Sequence, residues 1–199
     1  MVISCIATVL NARDWIIRID MKGIIFTEFI TIVETQFGLE ISQKMFDHAN
    51  DAGVYTAVGS YDHRQLIKLI MSLSHITNIP AQELQQTYGR LVFPSLLQAL
   101  PIPDIESDDT FIFIEKVERH IHIEVKKLYP DVTPPKFTFS NQTQSTMILD
   151  YHSARCMGYV CMGVLEGCAN YFNQSLTIAM QPMNASQSHV RFSLTLTGD

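Results

Sequence analysis

The chain has 199 residues, a formal charge of −6 and 47% hydrophobic residues. That content suits one domain, or two tightly joined subdomains, around a sizeable core, and with only 17% charged residues it excludes a disordered chain. The acidic balance argues against a nucleic-acid surface, and no apolar run reaches the roughly 20 residues of a membrane span.

Met1 to Asp20 reads as an extension outside the fold. Val2 to Leu10 is apolar but short, no positive residue precedes it and no A-x-A-like site follows, so a signal peptide is not supported. Met21 opens a cleaner amphipathic segment. The expected natural start is therefore Met21, and the expected domain is 21–199. Gly23 to Phe37 spaces Ile24, Phe26, Phe29, Ile30 and Val33 near a helical period and stops at Gly38. Glu40 to Ala49 predicts a second helix, Asp51-Ala-Gly53 a turn, and Tyr55 to Val58 a short extended segment. Asp62 caps a helix to about Ile76. Pro80 starts another that runs into Tyr88-Gly89, and a separate apolar helix covers Leu91 to Leu100, starting near Pro94. Pro101 to Asp109 reads as an acidic loop.

Phe111 to Tyr129 is helical, with Ile114, Val117, Ile121, Val125 and Leu128 in one stripe, and Pro130-Asp131 ends it. Thr133-Pro-Pro135 enforces an extended linker. Lys136–Ser140 and Thr146–Tyr151 alternate like strands around a polar turn. Cys156 to Phe172 is helical, with Gly158, Gly163 and Gly167 permitting close approach of backbone or ligand. Ser175–Met180 and His189–Thr197 are two more strands. Helices come first and β-β-α-β-β follows, which is the α+β pattern: a helical N-terminal subdomain and a C-terminal antiparallel sheet with helices.

Three groups carry possible chemistry. His120 and His122 stand ~200° apart on a helix, so they cannot share one ion, and at most one is a ligand. The helical wheel does not choose between them, since both flank the apolar stripe. Tyr151, Ser153 and Arg155 have period-2 spacing and project together on an extended segment. An arginine fork, a hydroxyl and a phenol make a carboxylate clamp, although a strand end can carry such residues for structural reasons alone. The four cysteines, Cys5, Cys156, Cys161 and Cys168, contain no C-x-x-C pair, and a reducing cytoplasm suits them best. Cys161 and Cys168 share a helical face and read as core thiols. Alternatively, Cys156, Cys161 or Cys168 serves a thiol- or redox-responsive interaction domain. No nucleophile–base pair or phosphate loop is evident, so no enzyme is expected.

Met21-Lys-Gly-Ile-Ile-Phe26, Gly53-Val-Tyr-Thr-Ala-Val-Gly59, His122 with Lys127-Leu-Tyr-Pro130, and Tyr151-x-Ser-x-Arg155 occur in that order. Together they resemble the haem nitric oxide/oxygen-binding (H-NOX) family, related to the haem domain of soluble guanylate cyclase, from Met21 to the C-terminus. The resemblance implies a b-type haem between the helical subdomain and the sheet. It implies His122 as the iron's proximal ligand, because the family's histidine lies eleven residues before a turn like Thr133-Pro-Pro135. It implies Pro135 as the proline pressing on the haem, Tyr151, Ser153 and Arg155 as the grip on the propionates, and Ile25 and Phe29 in the distal pocket. Oxygen-binding members carry a tyrosine nine residues after the motif tyrosine. Here that position is Val160, and the adjacent Tyr159 is turned ~100° away. The implied function is a cytoplasmic nitric oxide sensor that excludes oxygen, also binds carbon monoxide and is not an enzyme. Its output passes in trans to a histidine kinase or a cyclic-di-GMP enzyme, as in stand-alone bacterial members.

Overall fold

The computed structural model describes residues 20–99, 109–128 and 133–197. Most of the expected extension, and the readings that fall on residues 100–108 and 129–132, lie outside the described residues. Asp20, grouped above with the extension, is the first residue of strand β1 (Asp20–Lys22), which pairs antiparallel with β2 (Ser60–Asp62).

Helix α1 (Gly23–Phe37) ends at Gly38, which takes φ +85°. Its start has no side-chain cap. The Gly23 and Ile24 amides instead donate to the carbonyls of Gly59 and Ala57. The segment expected to be extended at Tyr55–Val58 therefore serves as a backbone cap and forms a turn, closed by the Gly59 amide on Thr56 O. Tyr55 stacks on Phe26 with ring centroids 4.7 Å apart, which pins this loop to α1. Helices α2 (Leu39–Ala49) and α3 (His63–Thr77) follow, and Asp62 caps α3 by accepting from the Arg64 amide.

Helix α4 (Ala81–Gln98) is continuous through Pro94, where two helices were expected. A proline inside a helix loses one hydrogen bond and costs about 3 kcal/mol. Here the burial of Leu84, Tyr88, Val92 and Phe93 on one face outweighs that cost. Next come α5 (Thr110–Lys116), a π-helical segment (Val117–Ile121) and α6 (His122–Leu128), where one regular α-helix was expected. The wider turn keeps Val117, Ile121 and Val125 on one side at a spacing of four. Strands β3 (Lys136–Ser140), β4 (Thr146–His152), β5 (Ser175–Pro182) and β6 (His189–Thr197) form an antiparallel sheet in the order β3-β4-β6-β5. Helix α7 (Gly158–Tyr171) lies between β4 and β5 in sequence. The arrangement is the expected α+β fold.

Two apolar clusters result. One gathers Phe26, Phe29, Leu66, Leu69 and Tyr88 from the N-terminal helices. The other gathers Phe111, Leu149, Tyr151, Phe192 and Leu194 from α5 and the inner sheet face. Helices α4 and α7 join them, for Val92 belongs to the first cluster, Phe93 to the second, and Val164 packs against both. Their backbones nearly touch. A Cβ on Gly163 would lie 1.9 Å from Gln86 O, and one on Gly89 would lie 2.2 Å from Val160 O. Neither neighbour is a side chain that could rotate away. Gly163→Ala must therefore separate α4 from α7, and its urea midpoint should fall by the equivalent of about 1–3 kcal/mol. An unchanged midpoint would contradict this contact.

Candidate cofactor site

A cavity of about 550 Å³ lies where the two clusters meet. Its wall is mostly hydrocarbon, drawn from α1, α4, the 110–128 helical stretch and α7. The polar groups are few: Lys22, Tyr88, His122, Tyr151, Ser153 and Arg155. A few polar groups in an apolar wall fix the orientation of a ligand that the wall itself holds.

His122 opens α6 directly after the π-helical turn and faces this cavity, whereas His120 is exposed. The structure thus separates the two histidines that the helical wheel left equivalent. Nδ1 of His122 lies 2.9 Å from Oε2 of Glu118, and the same oxygen accepts the Phe137 amide at 3.0 Å. A carboxylate only accepts, so Nδ1 carries the proton and Nε2 keeps its lone pair. Burial pushes the His122 pKa below the usual value, with Glu118 opposing. A neutral imidazole with a free Nε2 is able to bind a metal.

Tyr151, Ser153 and Arg155 come together on the cavity wall at the end of β4. Tyr151 is buried, and burial raises the pKa of its hydroxyl. Ser153 Oγ accepts the Arg155 amide at 3.2 Å. Arg155 is buried, its Nη1 donating to Thr133 O at 2.6 Å and its Nη2 to Asp20 O at 2.7 Å. Its Nε is buried without a hydrogen-bond partner among the described residues. Burial also pulls the guanidinium's pKa down. A cation with an orphaned donor beside an apolar cavity calls for an anionic acceptor, and a flat apolar macrocycle bearing carboxylates meets both demands.

Of the other expected residues, Ile25, Val160 and Pro135 line the cavity and Phe29 does not. Phe29 lies in the core beneath, edge-on to Tyr88 at 5.3 Å. Tyr159 is absent from the wall. Two residues were missed by sequence reasoning. Tyr88 lines the cavity, but its hydroxyl donates to Ile25 O at 2.8 Å. Nothing in the spacing of α4 foretells that bond. Glu118 was legible in principle, since a carboxylate four residues before a helical histidine can reach it.

An imidazole with a free nitrogen, a carboxylate clamp and an apolar cavity between two subdomains define a haem-binding gas-sensor domain. The chain matches the haem-NO-binding family over residues 22–180 and belongs to that family. Its cofactor is haem. It is similar to the Fe(II) unliganded H-NOX protein from K. algicida, at 31% identity and a TM-score of 0.83, covering 90% of this chain and 98% of that one. An H-NOX protein from S. oneidensis in the Fe(II)NO state shares 26% identity with a TM-score of 0.80, covering 89% and 100%. The IWP-051-bound H-NOX from Shewanella woodyi in the Fe(II)CO state shares 35% identity with a TM-score of 0.74, covering 88% and 94%. No curated protein sequence matches the chain. Among the described residues, no helix is long and apolar enough to cross a membrane.

Arg155 bonds the carbonyls of Asp20 and Thr133 whether or not a carboxylate joins them. Arg155→Ala should destabilise the haem-free protein by about 1–3 kcal/mol and release haem faster from the loaded form. Unchanged haem loss would place the clamp elsewhere.

Proposed function

We propose that this domain senses nitric oxide, excludes oxygen and passes the signal to a partner protein. Haem supplies a ferrous iron that binds diatomic gases. In this reading His122 offers Nε2 to the iron, Tyr151, Ser153 and Arg155 hold the propionates, and Pro135, Ile25 and Val160 shape the cavity. Phe29 supports that wall from the core. The observation that carries gas choice is the state of the cavity's hydroxyls. Val160 stands at the position where oxygen-binding relatives have a tyrosine, and the one proton of the Tyr88 hydroxyl is committed to Ile25 O. Without a free tyrosine hydroxyl a polar bound dioxygen goes unstabilised, while nitric oxide needs little such help.

In this reading nitric oxide would weaken the bond to His122, and carbon monoxide would leave it in place. With His122 released, the 110–128 stretch and Pro135 would relax, and the helical subdomain would shift against the sheet. The gas must bind the relaxed state more tightly to populate it. A histidine kinase or a cyclic-di-GMP enzyme in the cytoplasm reads the altered surface. The domain itself is a sensor and not a catalyst. A thiol-responsive role is less well supported. Cys161 and Cys168 are buried, and burial pushes both thiols' pKa up, away from the reactive thiolate.

Two measurements test this reading. His122→Gly should lose haem or require added imidazole, whereas His120→Ala keeps it; the reverse result reassigns the ligand. Spectra of the reduced, haem-loaded protein should stay unchanged in air-saturated buffer and shift with nitric oxide. Val160→Tyr should then gain measurable oxygen binding. A stable wild-type complex with oxygen would overturn the selectivity argument.

A further inference from the structure

Glu118 occupies a junction. It belongs to the π-helical turn directly before His122, and one carboxylate oxygen, Oε2, accepts two hydrogen bonds from two different elements. The first is Nδ1–H of His122 at 2.9 Å. The second is the amide of Phe137, at 3.0 Å, in the strand that follows Pro135. Strand β3 is an edge strand, paired only with β4. The Phe137 amide points away from the ladder, and an edge amide that meets no strand needs another acceptor. Glu118 supplies that acceptor. The His122 and Phe137 rings also lie 5.2 Å apart, so imidazole, carboxylate and strand start form one packed group.

We propose that Glu118 is a positioning residue for His122: it fixes the imidazole with Nε2 toward the cavity and ties it to the start of β3. The proposal rests on His122 being the iron ligand. A hydrogen bond from a ligand's second nitrogen to a carboxylate sets its tautomer and ring orientation and raises its donor strength. The second bond adds a mechanical link. When His122 moves, Oε2 either follows it and loosens Phe137, or stays with Phe137 and loses His122. Either way the state of the iron bond reaches the sheet edge through a single oxygen, without passing along the helix.

The test uses imidazole as a free surrogate for the side chain. In haem-loaded His122→Gly protein, added imidazole should restore the ligand. In His122→Gly/Glu118→Ala the imidazole affinity should fall by about 10–100-fold. His122→Gly/Glu118→Gln, which keeps an acceptor without the charge, should fall between. In the His122-containing background, Glu118→Ala should lower the iron–histidine stretching frequency of the ferrous protein, and hydrogen exchange at the Phe137 amide should accelerate. Equal imidazole affinities with and without Glu118 would overturn the proposal while leaving His122 as the ligand. Should His122→Gly bind haem normally and ignore imidazole, the ligand assignment itself fails. If the alanine variant does not fold, the glutamine variant carries the same comparison, and an affinity equal to that of His122→Gly alone would overturn the role of the charge.

Discussion

A buried guanidinium must have acceptors, and this fold meets that constraint at Arg155 by bringing distant parts of the chain to it. Asp20, at the start of the described fold, gives one carbonyl, and Thr133, in the linker after the histidine-bearing helix, gives another. Arg155 itself sits at the end of β4's motif, so one side chain binds the N-terminal strand, the linker and the sheet together. The two carbonyls leave Nε without a partner among the described residues, beside the cavity. The cation is thus only partly satisfied by the protein. In the proposed reading a propionate completes it, so that cofactor binding and the joining of the subdomains share this group.

The second constraint is the contact between α4 and α7. Glycine at positions 89 and 163 lets the two backbones meet at a distance no Cβ allows. That closeness fixes where Val160 and Cys161 present themselves on the cavity wall. The cavity is therefore a consequence of how two apolar clusters meet, and is not a pocket carved into either one. Each cluster closes its own core, leaving the space between them for a large flat ligand.

Much of this was legible in the residues. The period of α1 and its stop at Gly38, the Asp62 cap, and the alternation in β3 and β4 depend on local chemistry, and the structure repeats them. The failures have physical causes as well. Pro94 reads as a break because its local cost is visible in sequence, while the burial that overrides it is not. Tyr55–Val58 looks extended, yet its neighbourhood is used to cap α1, whose own first residues offer no capping side chain. The π-helical turn leaves no mark in composition, because Val117, Ile121 and Val125 also fit an ordinary helix within the tolerance of the pattern. At the site, the clamp could be proposed from period-2 spacing, but the choice of His122 over His120 needed the family's register. The resemblance placed Phe29 at the cavity, whereas it lies one layer deeper, in the core against Tyr88.

In the proposed reading, gas choice turns on protons more than on shape. The cavity has hydroxyls on its wall, and a free one would steady a polar oxygen ligand. Tyr151 and Ser153 lie with Arg155 in the clamp at the end of β4. Tyr88 spends its single proton on Ile25 O, a carbonyl of the first helix. Such a bond is as short as an ordinary hydroxyl–carbonyl bond, and breaking it would leave a buried carbonyl unpaired at about 1–3 kcal/mol. Turning Tyr88 toward a bound gas therefore means losing one buried hydrogen bond to make another, with little net gain. The same bond secures α4 to α1 across the first cluster. A packing contact of the helical subdomain thus holds the Tyr88 hydroxyl away from a bound gas, and in the proposed reading the selectivity follows from how that hydroxyl is used, even though a tyrosine is present.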